Sequence, residues 1–349
     1  METTKTDTMR RWVLKAGETT LDGLKIENVA IPEPGPGQVR IKMKAASINY
    51  RDQIVLQGMY GGAVSSDIIP LSDGAGIIDK LGENVTKWHE GDKVTSVYTP
   101  EEWADGPPIP GLDFGLGSEG HHGVLAEYII LNAERIALAP EKWTLIEAAT
   151  IPCAALTAWT AVNGDRPYAR PLTEKDKVLG LGTGGVSLFS LLFAKAAGAE
   201  VIGTSSQQEK LDKLSELGIT NSVNYSEEEK WGEVIFDSYG GASKVINTVG
   251  GSAIDQTIAA VEFGGEIAFM GLFDYAEKAP NFVNLMMKGA SIRGTAVGST
   301  AAHLDLVDFI NTHDFKPPIH KVFPFKEAVE AYKAATSKDL FGKIVIEID

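Results

Sequence analysis

Six consecutive residues, Gly182-Thr183-Gly184-Gly185-Val186-Ser187, carry the densest chemical signal in the chain. They follow the short apolar run Val178–Leu181 and open an apolar stretch reaching Ala197. The segment therefore reads as strand, glycine turn and helix. In that setting Gly182 permits a tight turn and Gly184 lets backbone come close to an anion. The first helical residues then offer free N–H groups and the positive end of the helix dipole. The ligand expected there is the pyrophosphate of a dinucleotide. Ser187 stands where a third glycine usually completes this fingerprint. A glycine-rich turn that binds nothing is the alternative.

The next strand, Glu200–Thr204, bears on which dinucleotide. A site for NAD usually has Asp or Glu at this strand's end, bonding the ribose hydroxyls. Here the chain reads Thr204-Ser205-Ser206, with no carboxylate until Glu209. Small hydroxyls leave room for a 2′-phosphate and can donate to it, and Lys210 adds positive charge. The expected cofactor is NADPH. The same serines also suit a helix cap at Gln207.

The remaining reactive side chains limit other chemistries. Cys153 is the only cysteine, so a disulfide framework and multi-cysteine metal sites are excluded. His121-His122 lie in a glycine-rich loop without a supporting ligand pattern and read as polar loop residues; no metal site is expected. The formal charge of −15, from 47 acidic and 32 basic residues, argues against nucleic acid or an anionic membrane as partner. A small-molecule substrate is the partner expected. The polar segment Met1–Met9 lacks the apolar core of a signal peptide, and the longest uncharged run is broken by glycines, so the expected location is cytoplasmic.

The elements that must position these residues fall into two rhythms. Up to about Pro152 the chain reads as short strands and turns: Gln38–Ala46 alternates apolar and basic residues, Gly91–Val94 turns into a strand, and Val124–Leu131 is a third strand. Thr99–Gly123 is a long Gly/Pro-rich loop, where Trp103 and Phe114 form either an aromatic wall or a small loop core. After Cys153, strands alternate with helices. The strands are Val178–Leu181, Glu200–Thr204, Ser222–Asn224, Lys244–Val249, Glu266–Leu272 and Ser291–Ala296; Gln207–Leu217 is an amphipathic helix. Alternation of this kind implies a doubly wound parallel sheet. The tail from about Ala301 adds a helix, a strand near Val322, a helix at Lys326–Ala335 and a last strand at Lys343–Ile348.

Taken together, several motifs resemble the zinc-free, quinone oxidoreductase-like branch of the medium-chain dehydrogenase/reductase superfamily. They are Ser47-Ile48-Asn49-Tyr50-Arg51-Asp52, Leu71-Ser72-Asp73-Gly74-Ala75-Gly76, Gly123–Tyr128, Glu147–Trp159, Lys195–Ala199, Val223-Asn224-Tyr225 and Phe341-Gly342-Lys343. The resemblance implies an α/β protein with a chaperonin-10-like, β-rich catalytic domain and a Rossmann domain with a doubly wound parallel sheet. The catalytic domain would comprise residues 1–154 and 298–349, with the NADP-binding Rossmann domain at 155–297. The resemblance also implies a dimer or a tetramer, a homodimer being the expected form. Zinc-dependent relatives place a cysteine near Asn49, a His-Glu pair at Ser72-Asp73 and a Cys or Asp at Cys153; only the last matches, and about three ligands are needed. Cofactor contacts implied or read directly are Thr157, Gly182, Thr183, Gly184, Gly185, Val186, Ser205, Ser206, Lys210, Tyr225, Gly271, Leu272 and Lys343.

Without a Lewis acid, hydride addition to a quinone or to the β-carbon of an enone is easier than oxidation of a plain alcohol. Tyr50 is the candidate donor to the developing oxyanion, with Asn49 orienting substrate or cofactor and Asp52 positioning its neighbours. A metal-free alcohol or carbonyl dehydrogenase, or an NADPH-binding regulatory protein without catalysis, are the other two readings.

Overall fold

Alternating Val39, Ile41, Met43 and Ala45 are buried along the strand Gln38–Ile48, while the intervening Arg40, Lys42 and Lys44 are only partly covered. A period of two buries one face of a strand, which is what the sequence required. The computed structural model describes residues 7–110, 115–271, 274–276 and 278–349. Its strands are, in chain order, Thr8–Leu14 (β1), Leu24–Ala30 (β2), Gln38–Ile48 (β3), Asp73–Leu81 (β4), Lys93–Ser96 (β5), Tyr128–Asn132 (β6), Ile136–Leu138 (β7), Lys177–Gly180 (β8), Glu200–Ser205 (β9), Asn221–Asn224 (β10), Ala242–Asn247 (β11), Val261–Phe269 (β12), Ser291–Gly294 (β13), Ile319–Pro324 (β14) and Lys343–Glu347 (β15).

The chain divides into two units, one made of Met1–Ala154, Ser299–Thr312 and Ile319–Asp349, the other of Ala155–Gly298 and His313–Pro318. The first unit holds the hairpin β1-β2 and a sheet ordered β14-β15-β3-β4-β5-β7, with β6 also paired to β3. In the register of this sheet, Ser47 stands opposite Asp73 on one side and Val345 on the other, and Ile48 opposes Ile344. The end of β3, the start of β4 and the start of β15 therefore meet. At the end of β5, the Oγ of Ser96 accepts from Gly74 N (3.1 Å) and donates to Ser72 O (2.9 Å), bracing the start of β4.

The second unit is a parallel sheet ordered β10-β9-β8-β11-β12-β13, with helices between successive strands. This is the doubly wound arrangement expected, whose strand order reverses direction between β8 and β11. Its central strands β8 and β11 are buried almost throughout, as sheets covered on both faces must be. No helix among the described residues is long and apolar enough to cross a membrane.

Some boundaries differ from the sequence reading. The strand expected over Val124–Leu131 starts only at Tyr128, because the Val124 and Leu125 N–H groups bond Pro70 and Leu71 carbonyls instead of a strand. The helix expected from Lys326 begins at Ala328, after a turn of 3-10 helix. Trp103 is a buried loop-core residue whose Nε1 donates to Gly106 O, 2.9 Å away. Phe114 lies outside the described residues.

His303 is buried on the helix Thr300–Thr312, with Nε2 3.2 Å from Thr95 Oγ1 and Nδ1 without a partner among the described residues. Burial disfavours the imidazolium and pulls its pKa from 6.5 to about 4. Above pH 6.5 both folded and unfolded chains are neutral here. As pH falls towards 4, the unfolded chain gains a proton that the folded chain resists, so folding stability falls. Between pH 7 and 4.5 this single group is expected to remove about 2 kcal/mol. Urea unfolding of wild type and His303→Gln at both pH values measures it. Identical pH dependence in the two proteins would contradict the assignment.

Candidate active site

Two sets of residues named by the sequence converge, each within its own unit. In the second unit the glycine turn comes directly after β8. Gly182 has φ +72°, a conformation glycine adopts without strain, and its N–H donates to Thr204 Oγ1 on β9 at 3.0 Å. Gly184 is the N-cap of the helix Gly185–Ala196, and a Cβ placed on Gly182 or Gly184 would meet no atom within 4 Å. The turn thus leaves open space in front of the N–H groups of the first helical turn, which have no intrahelical acceptor. Gly185 and Val186 line this first turn half-buried, and Thr183 is buried. Ser187 replaces the third glycine by turning its hydroxyl back to the strand: Oγ donates to Leu181 O at 2.5 Å and lies 3.1 Å from Thr248 Oγ1. A small side chain with an internal acceptor thus fits the close helix–strand contact.

At the carboxyl end of β9, Ser205 is buried and its Oγ accepts from Gln207 N at 3.2 Å, while Ser206 is exposed. Ser205 therefore helps turn the chain into the helix Gln208–Glu216, on whose first turns Lys210 lies half-buried. Parallel pairing sets Asn224 beside Ser205, and Tyr225 N donates to Ser205 O at 3.1 Å. Ser226 Oγ donates to Ser206 O at 3.0 Å. Ser205, Ser206, Lys210 and the exposed Tyr225 thus share one end of the sheet. Gly271 sits just beyond β12, where a Cβ would lie 2.2 Å from Gly250 N. Close backbone contact dictates glycine there. Thr157, largely buried, lies in the first turn of the helix Leu156–Asn163. Leu272 lies outside the described residues.

In the first unit, the meeting of β3, β4 and β15 builds a buried polar cluster. Asn49 follows β3 directly and caps the helix Tyr50–Leu56; its N–H donates to Asp52 Oδ2 at 2.7 Å, half of a capping box. Asp52 Oδ1 accepts from Arg51 Nη1 at 3.0 Å, and the same nitrogen lies 2.8 Å from Leu116 O. The Arg51 guanidinium stands 5.5 Å from the ring centres of both Tyr60 and Tyr98. From β4, Asp73 receives Ser72 Oγ on Oδ1 (2.6 Å) and Cys153 N on Oδ2 (3.0 Å), Cys153 lying in a π turn over Ile151–Ala155. From β15, Lys343 Nζ donates to Ile48 O at 2.6 Å and to Asn49 Oδ1. Tyr50, beside Asn49, is 68% exposed, so its phenol is free to meet a ligand.

Electrostatics follow from burial. Loss of water pushes the Asp73 and Asp52 carboxyls up, opposed by Lys343 for both and by Arg51 for Asp52. Burial pulls Lys343 down, opposed by Asp73, Cys153 and Asp52. The Cys153 thiol is pushed up by burial and then by Asp73. Two cations and two anions therefore compensate each other in a dry setting. The sequence named Asn49, Asp52 and Lys343 but not the bond joining Lys343 to Asn49. Arg51 was missed as a partner of Asp52; a charged pair opening a helix was the available signal. His122 Nδ1 accepts from Ile69 N at 3.1 Å and so holds its loop.

Two family models match successive parts of the chain. Residues 35–141 match the alcohol dehydrogenase GroES-like domain family, and residues 185–312 match the zinc-binding dehydrogenase family. A zinc-type alcohol dehydrogenase-like protein of Schizosaccharomyces pombe is 36% identical over 97% of this chain and 99% of its own length. An acryloyl-coenzyme A reductase of Sulfurisphaera tokodaii is 27% identical, over 93% of this chain and 96% of its own length. A crystal structure of a provisionally assigned alcohol dehydrogenase from Sinorhizobium meliloti 1021 superposes with a TM-score of 0.87 at 35% identity, covering 97% of this chain and 99% of that one. The first unit is thus GroES-like and β-rich, and the second is of Rossmann type.

Replacing Asp52 with Ala strands the buried Arg51 charge and removes the acceptor of Asn49 N–H. Breaking a buried pair this way costs about 3–5 kcal/mol. The urea midpoint should fall accordingly, and a midpoint within experimental error of wild type would show that the pair is not closed in solution.

Proposed function

We propose that this chain, which belongs to the medium-chain dehydrogenase/reductase superfamily, is an NADPH-dependent oxidoreductase that reduces a quinone or an α,β-unsaturated carbonyl compound without zinc. One observation carries the reading. The glycine turn after β8 opens a helix at the switch point of the sheet, and the neighbouring β9 ends Ser205-Ser206 with no carboxylate. Such a cradle suits a pyrophosphate, and Ser206, Lys210 and Tyr225 offer donors for a 2′-phosphate. When bound, NADPH supplies the hydride; this chain's residues bind, orient and stabilise charge.

Zinc fits the first unit poorly. The places that would hold it carry Asn49, whose Oδ1 is taken by Lys343, and Ser72, whose hydroxyl donates to Asp73. A divalent ion there would face the Lys343 ammonium, and the described residues include no group of three His, Cys, Asp or Glu suited to a metal. In the absence of a Lewis acid, the Tyr50 hydroxyl donates a hydrogen bond to the oxygen that becomes an enolate or quinol anion, and solvent supplies the proton. The acryloyl-coenzyme A reductase relative is named for an α,β-unsaturated substrate, which favours the enone side of the proposal.

Titrating NADPH and NADH should show NADPH bound more tightly, and Ser205→Asp should lower that preference at least tenfold by repelling the 2′-phosphate. Equal or tighter binding of NADH to wild type would overturn the NADPH assignment.

For the chemistry, NADPH oxidation is followed with 2-cyclohexenone and 1,4-benzoquinone after dialysis against a chelator. Both are expected to turn over, and Tyr50→Phe should lower kcat/KM for the enone more than for the quinone, because the quinol anion needs less help. Activity abolished by chelation and restored by zinc would refute the metal-free mechanism. Turnover of alcohols or simple carbonyls alone would favour the dehydrogenase reading.

A further inference from the structure

Where the strand order of a parallel sheet reverses, the loops after the two strands concerned run to opposite sides and leave a crevice between them. Here those strands are β8 and β11, with Val178, Leu179 and Gly180 paired to Lys244, Val245 and Ile246. The ladder reaches Leu181, whose N–H donates to Ile246 O at 3.3 Å. Beyond that point side chains hold the two loops together. Leu181 O accepts from Ser187 Oγ (2.5 Å), on the helix after β8, and from Thr248 Oγ1 (3.0 Å), on the loop after β11. The two hydroxyls stand 3.1 Å apart. One carbonyl and two hydroxyls thus join the glycine turn to the loop Thr248–Gly251 at the switch point.

That loop is fixed on its other side as well. The buried Asn247 side chain accepts from Val249 N (3.1 Å) and Gly250 N (2.8 Å) and donates to Gly250 O (3.1 Å). Gly251 N donates to Asp274 O at 2.6 Å, and Met270 N to Asn247 O at 3.1 Å, which ties in the segment after β12. Half-buried Thr248 carries the bond from this assembly to the glycine turn.

We propose that the Ser187–Thr248 hydroxyl pair is a positioning device that sets the loop Thr248–Gly251 against the glycine turn, so that the two halves of a bound dinucleotide meet matched sites. This rests on the cofactor reading above, in which the glycine turn takes the pyrophosphate and Ser206 the 2′-phosphate. A dinucleotide spans the crevice at a switch point, so its nicotinamide half falls to the loops after β11 and β12. Binding of that half depends on the pair, and binding of the adenine half does not. Loops already set need no ordering when the ligand arrives, so the device is read as affinity.

The test uses the full chain and two ligands: NADPH, and 2′,5′-ADP, which keeps the adenosine and 2′-phosphate but has no nicotinamide. Thr248→Val keeps the branched shape and deletes the hydroxyl. It is expected to weaken NADPH about three- to tenfold, the worth of one hydrogen bond, and to leave 2′,5′-ADP within about twofold of wild type. Ser187→Ala should behave alike. The double variant should bind NADPH no more weakly than the worse single variant, because both changes undo one device. Thr248→Ser, which restores the hydroxyl, should recover NADPH affinity. Equal losses for both ligands would make the pair a scaffold for the whole unit and overturn the proposal, as would losses that multiply or no loss at all. If Thr248→Val is unfolded by circular dichroism, Thr248→Ala deletes the same hydroxyl and carries the comparison. A wild type that binds NADH and not NADPH faults the cofactor assignment alone, and the pair is then read with NADH and ADP. A wild type that binds neither dinucleotide would overturn both readings.

Discussion

An ammonium and a carboxylate without water must find each other or neutralise, and this requirement shapes the first unit. Lys343, Asp73, Asp52 and Arg51 are all buried, so none is tolerable without the others. Their geometry is possible only because β3 pairs with β4 on one side and with β15 on the other, in a register that sets Ser47 between Asp73 and Val345. A slip of one residue in β4 or β15 would point Asp73 or Lys343 to the opposite face of the sheet. The hydrophobic alternation along β3 and the charge balance at its end therefore enforce the same pairing, and the Asn49 cap and the exposed Tyr50 inherit their positions from it.

The two units present their chemistry by different physics. In the second, the parallel sheet aligns strand ends, so Gly182, Ser205 and Gly271 arrive at one edge by topology, and the helix after β8 contributes backbone donors. Side-chain identity matters little beyond smallness, which is why Ser187 can stand in for a glycine once its hydroxyl finds Leu181 O. In the first unit, side chains make the site. Charge, hydrogen-bond direction and exclusion of water are set by Asn49, Asp52, Asp73 and Lys343 acting together.

That contrast explains what was legible in the sequence. The glycine turn, the strand–helix rhythm and the missing carboxylate after β9 are local signals, and local signals survive in one dimension. The same holds for the alternation in β3. The bond between Lys343 and Asn49 joins residues 294 positions apart, and nothing in either neighbourhood announces the other. The strand begun too early at Val124 shows the complementary failure: an apolar run is a strand only if a neighbour offers a ladder, and here the Pro70–Leu71 turn claimed those N–H groups first. Trp103 likewise reads as a candidate wall until its indole is seen donating to Gly106 O inside its own loop.

Strand β15 lies inside its sheet, between β14 and β3, although all six strands of the other sheet separate it from β3 and β4 in the chain. On the ribosome, Asp73 and Asn49 emerge long before the cation that completes them. The nascent first unit must wait with an unfilled slot in its sheet and an uncompensated carboxylate beside it. The strands of the Rossmann-type sheet all precede β15 in the chain and none pairs with it. Synthesis order thus separates the two halves in time, and the interior strand that fills the sheet brings its own counter-charge.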